Sequence, residues 1–172
     1  MVRFPVLVLL AACLMAAVAS GSAAAKSGPP SARLPHGMTW VTPGVVRLSR
    51  FNSGGFLARY LADLERLKRL GVRQLQLDGT CASACTVYLR LGDRVCVTGR
   101  ARIGFHRISL HGRTRFAPIQ ARLKSAEHRF NDKFLQRLPA NIRAWRGIRA
   151  GLPRRMVWLT GTEAAQRIGR CR

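Results

Sequence analysis

The chain has 172 residues, 48% of them hydrophobic, and its 30 basic and 7 acidic side chains leave a formal net charge of +23. This is the length of one ordinary domain, and its apolar fraction is ample for a packed core, so a wholly disordered chain is excluded. The charge predicts attraction to polyanions such as phospholipid headgroups, lipopolysaccharide or nucleic acid, unless the arginines only decorate solvated helix faces.

The amino terminus has the pattern of a cleaved export signal. One basic residue, Arg3, precedes an apolar run from Phe4 to Ala19 that ends in small residues. A run of this length is short for a membrane-spanning helix, which needs roughly 20 apolar residues. We therefore expect cleavage after Ala19 and a location in the periplasm or cell envelope. Cys13 lies in a sequence that resembles a lipoprotein cleavage site, but the apolar run continues past it, which favours the ordinary signal.

Four cysteines remain once the signal is removed, an even number in an exported chain: Cys81, Cys85, Cys96 and Cys171. An oxidising compartment favours disulfides, and four cysteines allow three pairings. The preferred pairing joins Cys85 to Cys96, which would brace the helix after Ser83 against the following strand. Zinc is the alternative, but Cys81-x-x-x-Cys85 has no matching second pair, so we expect neither a metal nor a cofactor.

Residues 20–43 are rich in proline and predict a linker, which leaves residues 44–172 as the folded domain. The first predicted strand, Val45–Phe51, ends at the turn Asn52-Ser-Gly-Gly55. Apolar residues at helical spacing then predict an amphipathic helix from Gly54 to Leu70, followed by a strand from Val72 to Asp78.

A break at Asp78-Gly79 separates this strand from a short predicted helix that begins at Ser83. A hydroxyl at a helix start is exposed, and the unpaired amides and the positive end of the helix dipole can stabilise developing negative charge. This is suitable ground for a nucleophile, although a serine there is more often a plain helix cap.

Two short strands, Arg94–Thr98 and Arg102–Phe105, are predicted next, and the second of them leads directly into His106. Helices interrupted by Pro139 follow, and a capping box at Thr160 opens the last helix. Alternation of strands and helices predicts an α/β domain of repeated βαβ units, with a mostly parallel sheet and carboxyl-terminal helices. Functional loops in such a sheet gather at the carboxyl ends of the strands.

Four landmarks in this order resemble the Clp protease proteolytic subunit (ClpP) and the wider crotonase-like superfamily. The nearest resemblance is to exported bacterial ClpP-like proteins that carry a Cys-x-Ser-Ala-Cys turn and a Gly-Phe-His base. The landmarks are Asn52-Ser-Gly-Gly55, Gly79-Thr-Cys-Ala-Ser-Ala-Cys85, Arg102-Ile-Gly-Phe-His106 and Trp158-Leu-Thr-Gly-Thr-Glu-Ala-Ala-Gln-Arg-Ile-Gly169. The resemblance covers about Val45 to Arg172, and it implies a ClpP/crotonase-like fold.

The resemblance also implies roles for individual residues. Ser83 matches the nucleophile and His106 its general base, while the backbone amides of Gly54 and Ala84 match the oxyanion hole. Independently of the family, glycine suits a position where backbone must approach the reacting atoms closely.

The third member of the triad does not match, because Met156 stands where the family has an aspartate. Three accounts follow from this difference. The site is a Ser–His dyad, or it recruits an acid from elsewhere, with Asp132 and Glu127 as the candidates, or the scaffold no longer catalyses.

We expect an exported ClpP-like serine hydrolase, preferably a peptidase, acting on peptides or small esters and commonly assembled as a homo-oligomer in its family. An ATPase partner is not expected, since the sequence shows no docking feature and the envelope offers no ATP. The alternative is a degenerate scaffold whose Arg-rich carboxyl half binds a polyanionic envelope component, such as an anionic membrane surface. Nucleic acid is not the expected partner of an exported chain.

Overall fold

The computed structural model describes residues 33–109 and 117–172 of the chain. The predicted export signal of residues 1–19, with Cys13, lies outside the described residues, as does the first part of the predicted linker. In chain order the elements are β1 (Thr39–Thr42), β2 (Val45–Leu48), α1 (Leu57–Arg69), β3 (Gln74–Leu77), β4 (Thr80–Ala82), a 3₁₀ helix (Ser83–Arg94), β5 (Val95–Val97), β6 (Arg102–Phe105), α2 (Ala117–Gln136), α3 (Ala140–Arg143), β7 (Val157–Thr160) and α4 (Gly161–Ile168). The domain is therefore α/β, as the sequence predicts.

The first sheet has the strand order β1-β2-β3-β5. Strands β2, β3 and β5 are parallel, and β1 pairs antiparallel with β2 through the tight turn at Pro43 and Gly44. β1 lies inside residues 20–43, the stretch predicted to be a linker. Its side chains are mostly exposed, so it lacks the apolar alternation by which a strand is detected from sequence.

Helix α1 connects β2 to β3, and it buries a stripe of side chains at Tyr60, Leu64 and Leu67. Their spacing of four and three residues places them on one helix face. Burial of each such side chain stabilises the fold by about 1.5–3 kcal/mol. The helix starts later than predicted, since Gly54 and Gly55 are left in an extended segment ahead of it.

The second sheet has the order β4-β6-β7, with β4 and β6 parallel and β6 and β7 antiparallel. The predicted single, mostly parallel sheet is thus two mixed sheets. Neither β4 nor β7 was expected as a strand, because in the sequence β4 lies between the break at Asp78-Gly79 and the helix at Ser83, and β7 lies directly before the capping box at Thr160. Since β4 and β6 are parallel neighbours, the residues that follow them come out at the same edge of the sheet.

The predicted helix beginning at Ser83 is present, and it is a 3₁₀ helix with a kink at Gly92. Most of its length is buried, and it packs against α1, β4, β5 and β6, while Asp93 and Arg94 at its end are exposed. Its buried side chains are Ala84, Cys85, Thr86, Val87, Tyr88, Leu89 and Leu91. The residue proposed as nucleophile therefore stands at the start of the most deeply enclosed helix of the domain, on a base that side-chain packing holds in place.

The predicted disulfide between Cys85 and Cys96 is wrong. Cys85 is bonded to Cys81, and Cys96 is bonded to Cys171. Cys85 follows β4 immediately and remains beside it, with a Cα–Cα distance of 5.2 Å to Cys81. Cys96 lies on β5 in the other sheet, where the carboxyl-terminal residues run alongside it and the Cys171 amide donates a hydrogen bond to the Val97 carbonyl oxygen at 3.0 Å.

Two disulfides indicate an oxidising environment, which agrees with the expectation of export. Across residues 33–109 and 117–172, no helix combines the length and the apolarity that spanning a bilayer requires.

Candidate active site

Ser83 occupies the sharp turn between β4 and the 3₁₀ helix. Its φ is +56°, in the left-handed region that residues with a β-carbon rarely adopt. A conformation of this kind costs about 1–3 kcal/mol and persists only when the surrounding structure imposes it. Strand, strained turn and helix together form the arrangement that exposes a nucleophile at the end of a sheet.

His106 directly follows β6, the parallel neighbour of β4. The distance from its Nε2 atom to the Ser83 Oγ atom is 2.7 Å, which is hydrogen-bond distance. The structure thus brings together the two residues that the sequence proposed as nucleophile and base. Their separation of 23 positions in the chain is bridged by the pairing of β4 with β6.

The backbone after His106 is held from two sides. The Arg107 amide donates to the Pro153 carbonyl oxygen at 2.7 Å. The Asn131 side chain, on α2, accepts from the Ile108 amide at 2.7 Å and donates to the Ile108 carbonyl oxygen at 2.9 Å. Asn131 is buried, and sequence reasoning missed it, because one asparagine in a polar helix carries no signal of what it will face.

No carboxylate completes a triad. All seven acidic residues of the chain are within the described ranges, and none of them is hydrogen-bonded to His106. Asp132 instead faces His128 at 3.4 Å, and Glu127 uses its backbone carbonyl oxygen to accept from Asn131. The described residues therefore present a Ser–His pair without an acid partner.

Met156, which stands where the ClpP-like pattern has an aspartate, lies beside β6. The register of β6 with β7 ends with Phe105 paired to Val157, and Met156 directly precedes β7. Its sulfur lies over Gly104, where a Cβ would be only 2.8 Å from the Met156 Sδ atom. A thioether therefore lies beside the strand that leads into His106, and a thioether cannot stabilise an imidazolium as a carboxylate does.

Gly54 lies against the nucleophile turn with φ +90°. A Cβ on Gly54 would lie 2.6 Å from the Ser83 Cβ atom, so only glycine fits. The Gly54 amide, however, donates to the Asn52 side-chain oxygen at 3.1 Å. Among the described residues the next amide, that of Gly55, has no acceptor, and the Ala84 amide is at a helix start, where amides have no intrahelical partner.

A chain of polar contacts that begins at the buried residues Asn52 and Tyr60 supports this glycine turn from behind. The Asn52 side-chain oxygen also accepts from the Tyr60 hydroxyl at 2.5 Å, and His36 stacks on the Tyr60 ring at 4.3 Å. His36 is itself paired with Asp63 at 2.6 Å. Burial is the main cause that raises the pKa of Tyr60, so its hydroxyl remains a donor. The sequence identified Tyr60 only as a core residue.

A groove of about 680 Å³ opens in front of Ser83 and His106. Its remaining lining is uncharged and mostly apolar: Gly55, Phe56, Leu57, Ala58, Leu61, Ala84, Ile108, Ser109 and Phe130. This lining is notable in a chain of charge +23, because the described walls carry no lysine, arginine, aspartate or glutamate. The groove can therefore accept an uncharged, apolar group next to the Ser83 hydroxyl.

The described residues hold no group of three or more His, Cys, Asp or Glu side chains arranged to bind a metal ion. Comparison with known proteins adds no identification, since no family model and no curated protein matches the chain.

Proposed function

We propose that this chain is an exported serine hydrolase with a ClpP/crotonase-like fold, which cleaves peptide or ester bonds next to an apolar group. The single observation that carries the proposal is the 2.7 Å contact between Ser83 Oγ and His106 Nε2, at the mouth of an apolar groove. The order of the elements supports the fold assignment. The Gly-Gly turn after β2, the Ser83 turn after β4 and His106 after β6 converge on one site.

In the proposed reaction the Ser83 Oγ atom attacks the substrate carbonyl carbon while His106 Nε2 takes its proton. The negative charge that develops on the carbonyl oxygen is stabilised by backbone amides. We assign this role to the amides of Ala84 and Gly55. The Gly54 amide does not take part, because it already donates a hydrogen bond to the Asn52 side chain. His106 then returns the proton to the leaving group, and water releases the acyl group by the same steps.

The substrate class follows from the groove. Its apolar lining favours an acyl group or side chain without charge, and its volume is enough for a large aliphatic or aromatic group. Without a carboxylate beside His106, catalysis is expected to be slow, because the imidazolium formed during attack has no ionic partner.

The test is hydrolysis of p-nitrophenyl esters by the oxidised chain. We expect a hexanoyl ester to be cleaved and a charged succinyl ester to be cleaved poorly. Ser83→Ala and His106→Ala should each lose turnover, and Ser109→Ala should retain it, since Ser109 lines the same groove away from the Ser–His contact. Turnover that survives Ser83→Ala would contradict the proposal.

A second function is favoured by one specific observation, the absence of a carboxylate at His106. In that proposal the domain is an inactive scaffold that binds an anionic membrane surface through its arginines. Binding to vesicles containing anionic lipid, falling steeply with salt, together with no esterase activity, is the result expected of it.

A further inference from the structure

We propose that the Cys81–Cys85 disulfide positions Ser83, holding the nucleophile turn in its left-handed conformation so that the oxidised chain is the competent hydrolase. This inference rests on the proposed function. Ser83 is the middle residue of the five that the disulfide encloses, two residues from each cysteine. Both cysteines are fully buried, so the bond is part of the packed base under the turn.

The cysteine before Ser83 is a rigid anchor. Cys81 is the central residue of β4, where it pairs with Ile103 of β6 on one side and forms a bridge to Asn52 on the other. Backbone hydrogen bonds of 2.9 Å join Asn52 to Thr80 and to Ala82 on either side of it. Cys81 is therefore fixed relative to both the His106 strand and the glycine turn.

The segment after Ser83 lacks the usual fastening of a helix start. The residue at the N-cap position, Ala82, makes no side-chain capping hydrogen bond, and the helix is of the weaker 3₁₀ type. Within the first turn, the Thr86 hydroxyl donates to the Ser83 carbonyl oxygen at 2.6 Å, but this bond stays inside the helix. In addition to side-chain packing, the covalent bond from Cys85 to Cys81 holds the first turn of the helix against the strand.

This fastening acts on the strained residue itself. Relaxation of Ser83 from φ +56° to an ordinary negative φ would turn its Oγ atom away from His106 and would alter the path of the chain between residues 81 and 85. A bond that joins the two ends of this short path opposes that change. The 2.7 Å contact with His106 is thus supported by a crosslink that itself touches no substrate.

The other disulfide has a different effect. Cys96 and Cys171 are 75 residues apart in the chain, and their bond joins β5 of the first sheet to the carboxyl terminus. A crosslink that closes a long loop restricts the unfolded chain more than one that closes a short loop. The long bond, Cys96–Cys171, is therefore expected to contribute mainly to stability. The short bond, Cys81–Cys85, is expected mainly to fix the geometry of Ser83, so each bond serves as the control for the other.

The test compares Cys81→Ala/Cys85→Ala with Cys96→Ala/Cys171→Ala. Two quantities are measured at a temperature where each variant is folded by circular dichroism: the rate at which a fluorophosphonate labels Ser83, and the melting temperature. Loss of the short bond should slow labelling about 10- to 100-fold, the effect of a misplaced reacting group. Loss of the long bond should lower the melting temperature more and leave labelling near the wild-type rate.

The second experiment compares the oxidised and reduced forms of a single variant. In Cys96→Ala/Cys171→Ala the short bond remains, and dithiothreitol reduces it by supplying two electrons and two protons, becoming a cyclic disulfide while Cys81 and Cys85 become thiols. Labelling should fall on reduction and return on reoxidation, with an unchanged circular dichroism spectrum. Unfolding on reduction would assign the bond to global stability and contradict a positioning role.

The two proposals fail in different ways. If the oxidised wild type is folded and is not labelled at all, the proposed hydrolase is contradicted. If the wild type is labelled, and Cys81→Ala/Cys85→Ala is labelled equally fast, the hydrolase stands and the positioning role of the disulfide is overturned.

Discussion

The turn at Ser83 keeps its shape only because residue 54 is a glycine and has no side chain. A Cβ on Gly54 would lie 2.6 Å from the Ser83 Cβ atom, 2.8 Å from the Ala82 carbonyl oxygen and 2.9 Å from the Ala84 amide nitrogen. Two of these three atoms belong to the backbone, so the turn itself would have to move to make room for it.

We therefore expect Gly54→Ala to lower the free energy of unfolding by about 1–3 kcal/mol, as overpacking does, and to stop fluorophosphonate labelling of Ser83. The matched control is Gly71→Ala. Gly71 also has a positive φ, of +68°, but a Cβ there would meet nothing within 4 Å. Its variant should lose some stability from backbone strain and keep its labelling rate. Wild-type labelling of a folded Gly54→Ala protein would contradict this account of the turn.

Replacing Met156 by an acid is expected to increase the reactivity of Ser83. Met156 directly precedes β7 and its sulfur lies close to Gly104, two residues before His106, so we expect a carboxylate there to accept from the second ring nitrogen. We expect Met156→Asp to speed labelling of Ser83 about tenfold or more, because an acid partner orients the base and stabilises its charged form.

The control for this prediction is Arg155→Asp, which places the same group one residue away at an exposed position. Arg155→Asp should leave labelling unchanged. Equal acceleration by both variants would show a general effect of charge. No acceleration by a folded Met156→Asp would contradict the prediction that a carboxylate at this position reaches His106.

Among the secondary-structure elements, the ends of β3 and β5 are joined by a buried carboxylate. Asp78, directly after β3, accepts hydrogen bonds from the Arg100 guanidinium and from the Thr98 hydroxyl, the latter at 2.5 Å. The Arg100 hydrogen bond, followed by that of Thr98, lowers the pKa of Asp78. A depressed carboxyl pKa stabilises the fold above the unfolded-state pKa of about 3.9, and this contribution is lost as the pH falls below that value.

We expect Asp78→Asn to lower the free energy of unfolding at pH 7 by about 1–3 kcal/mol, the range for hydrogen bonds to charged groups. The difference from wild type should shrink as the pH is lowered below about 4, since the carboxyl of the unfolded wild-type chain is then protonated while the native carboxylate, with its lowered pKa, is protonated only at lower pH. Asp93→Asn, which neutralises an exposed carboxyl, is the control and should change neither quantity. Denaturant titrations at several pH values measure the effect, and a constant difference between pH 7 and pH 3 would count against it.

The elements also show where sequence reasoning succeeds. Helix α1 and strands β2 and β3 have clear periods, so their types were predicted and their ends were missed by only a few residues. Strands β4 and β7 both pair with β6, a partner distant in the chain, and β1 lacks apolar alternation because its side chains are mostly exposed. The predicted cysteine pairing was wrong because the sequence does not show that the turn at Ser83 keeps Cys85 beside Cys81, or that the carboxyl terminus runs alongside β5.

For the molecule as a whole, the order of motifs was enough to propose Ser83 and His106, and the parallel pairing of β4 with β6 explains why they meet. The residues whose hydrogen bonds support the site could not be identified from the order of the motifs. Asn131, Asn52 and the Tyr60 hydroxyl act through contacts made only once helices and sheets have packed. Likewise, the net charge of +23 gave no sign that the described lining of the groove beside Ser83 is uncharged.

The most direct measurement is to label the oxidised, folded protein with a fluorophosphonate and to locate the adduct by peptide mass spectrometry. The account predicts one adduct, on Ser83, that disappears in His106→Ala because the base within 2.7 Å of the hydroxyl is gone. A folded protein that forms no adduct, or one whose adduct forms at another serine or persists without His106, would contradict the claim that this pair is an active catalytic site.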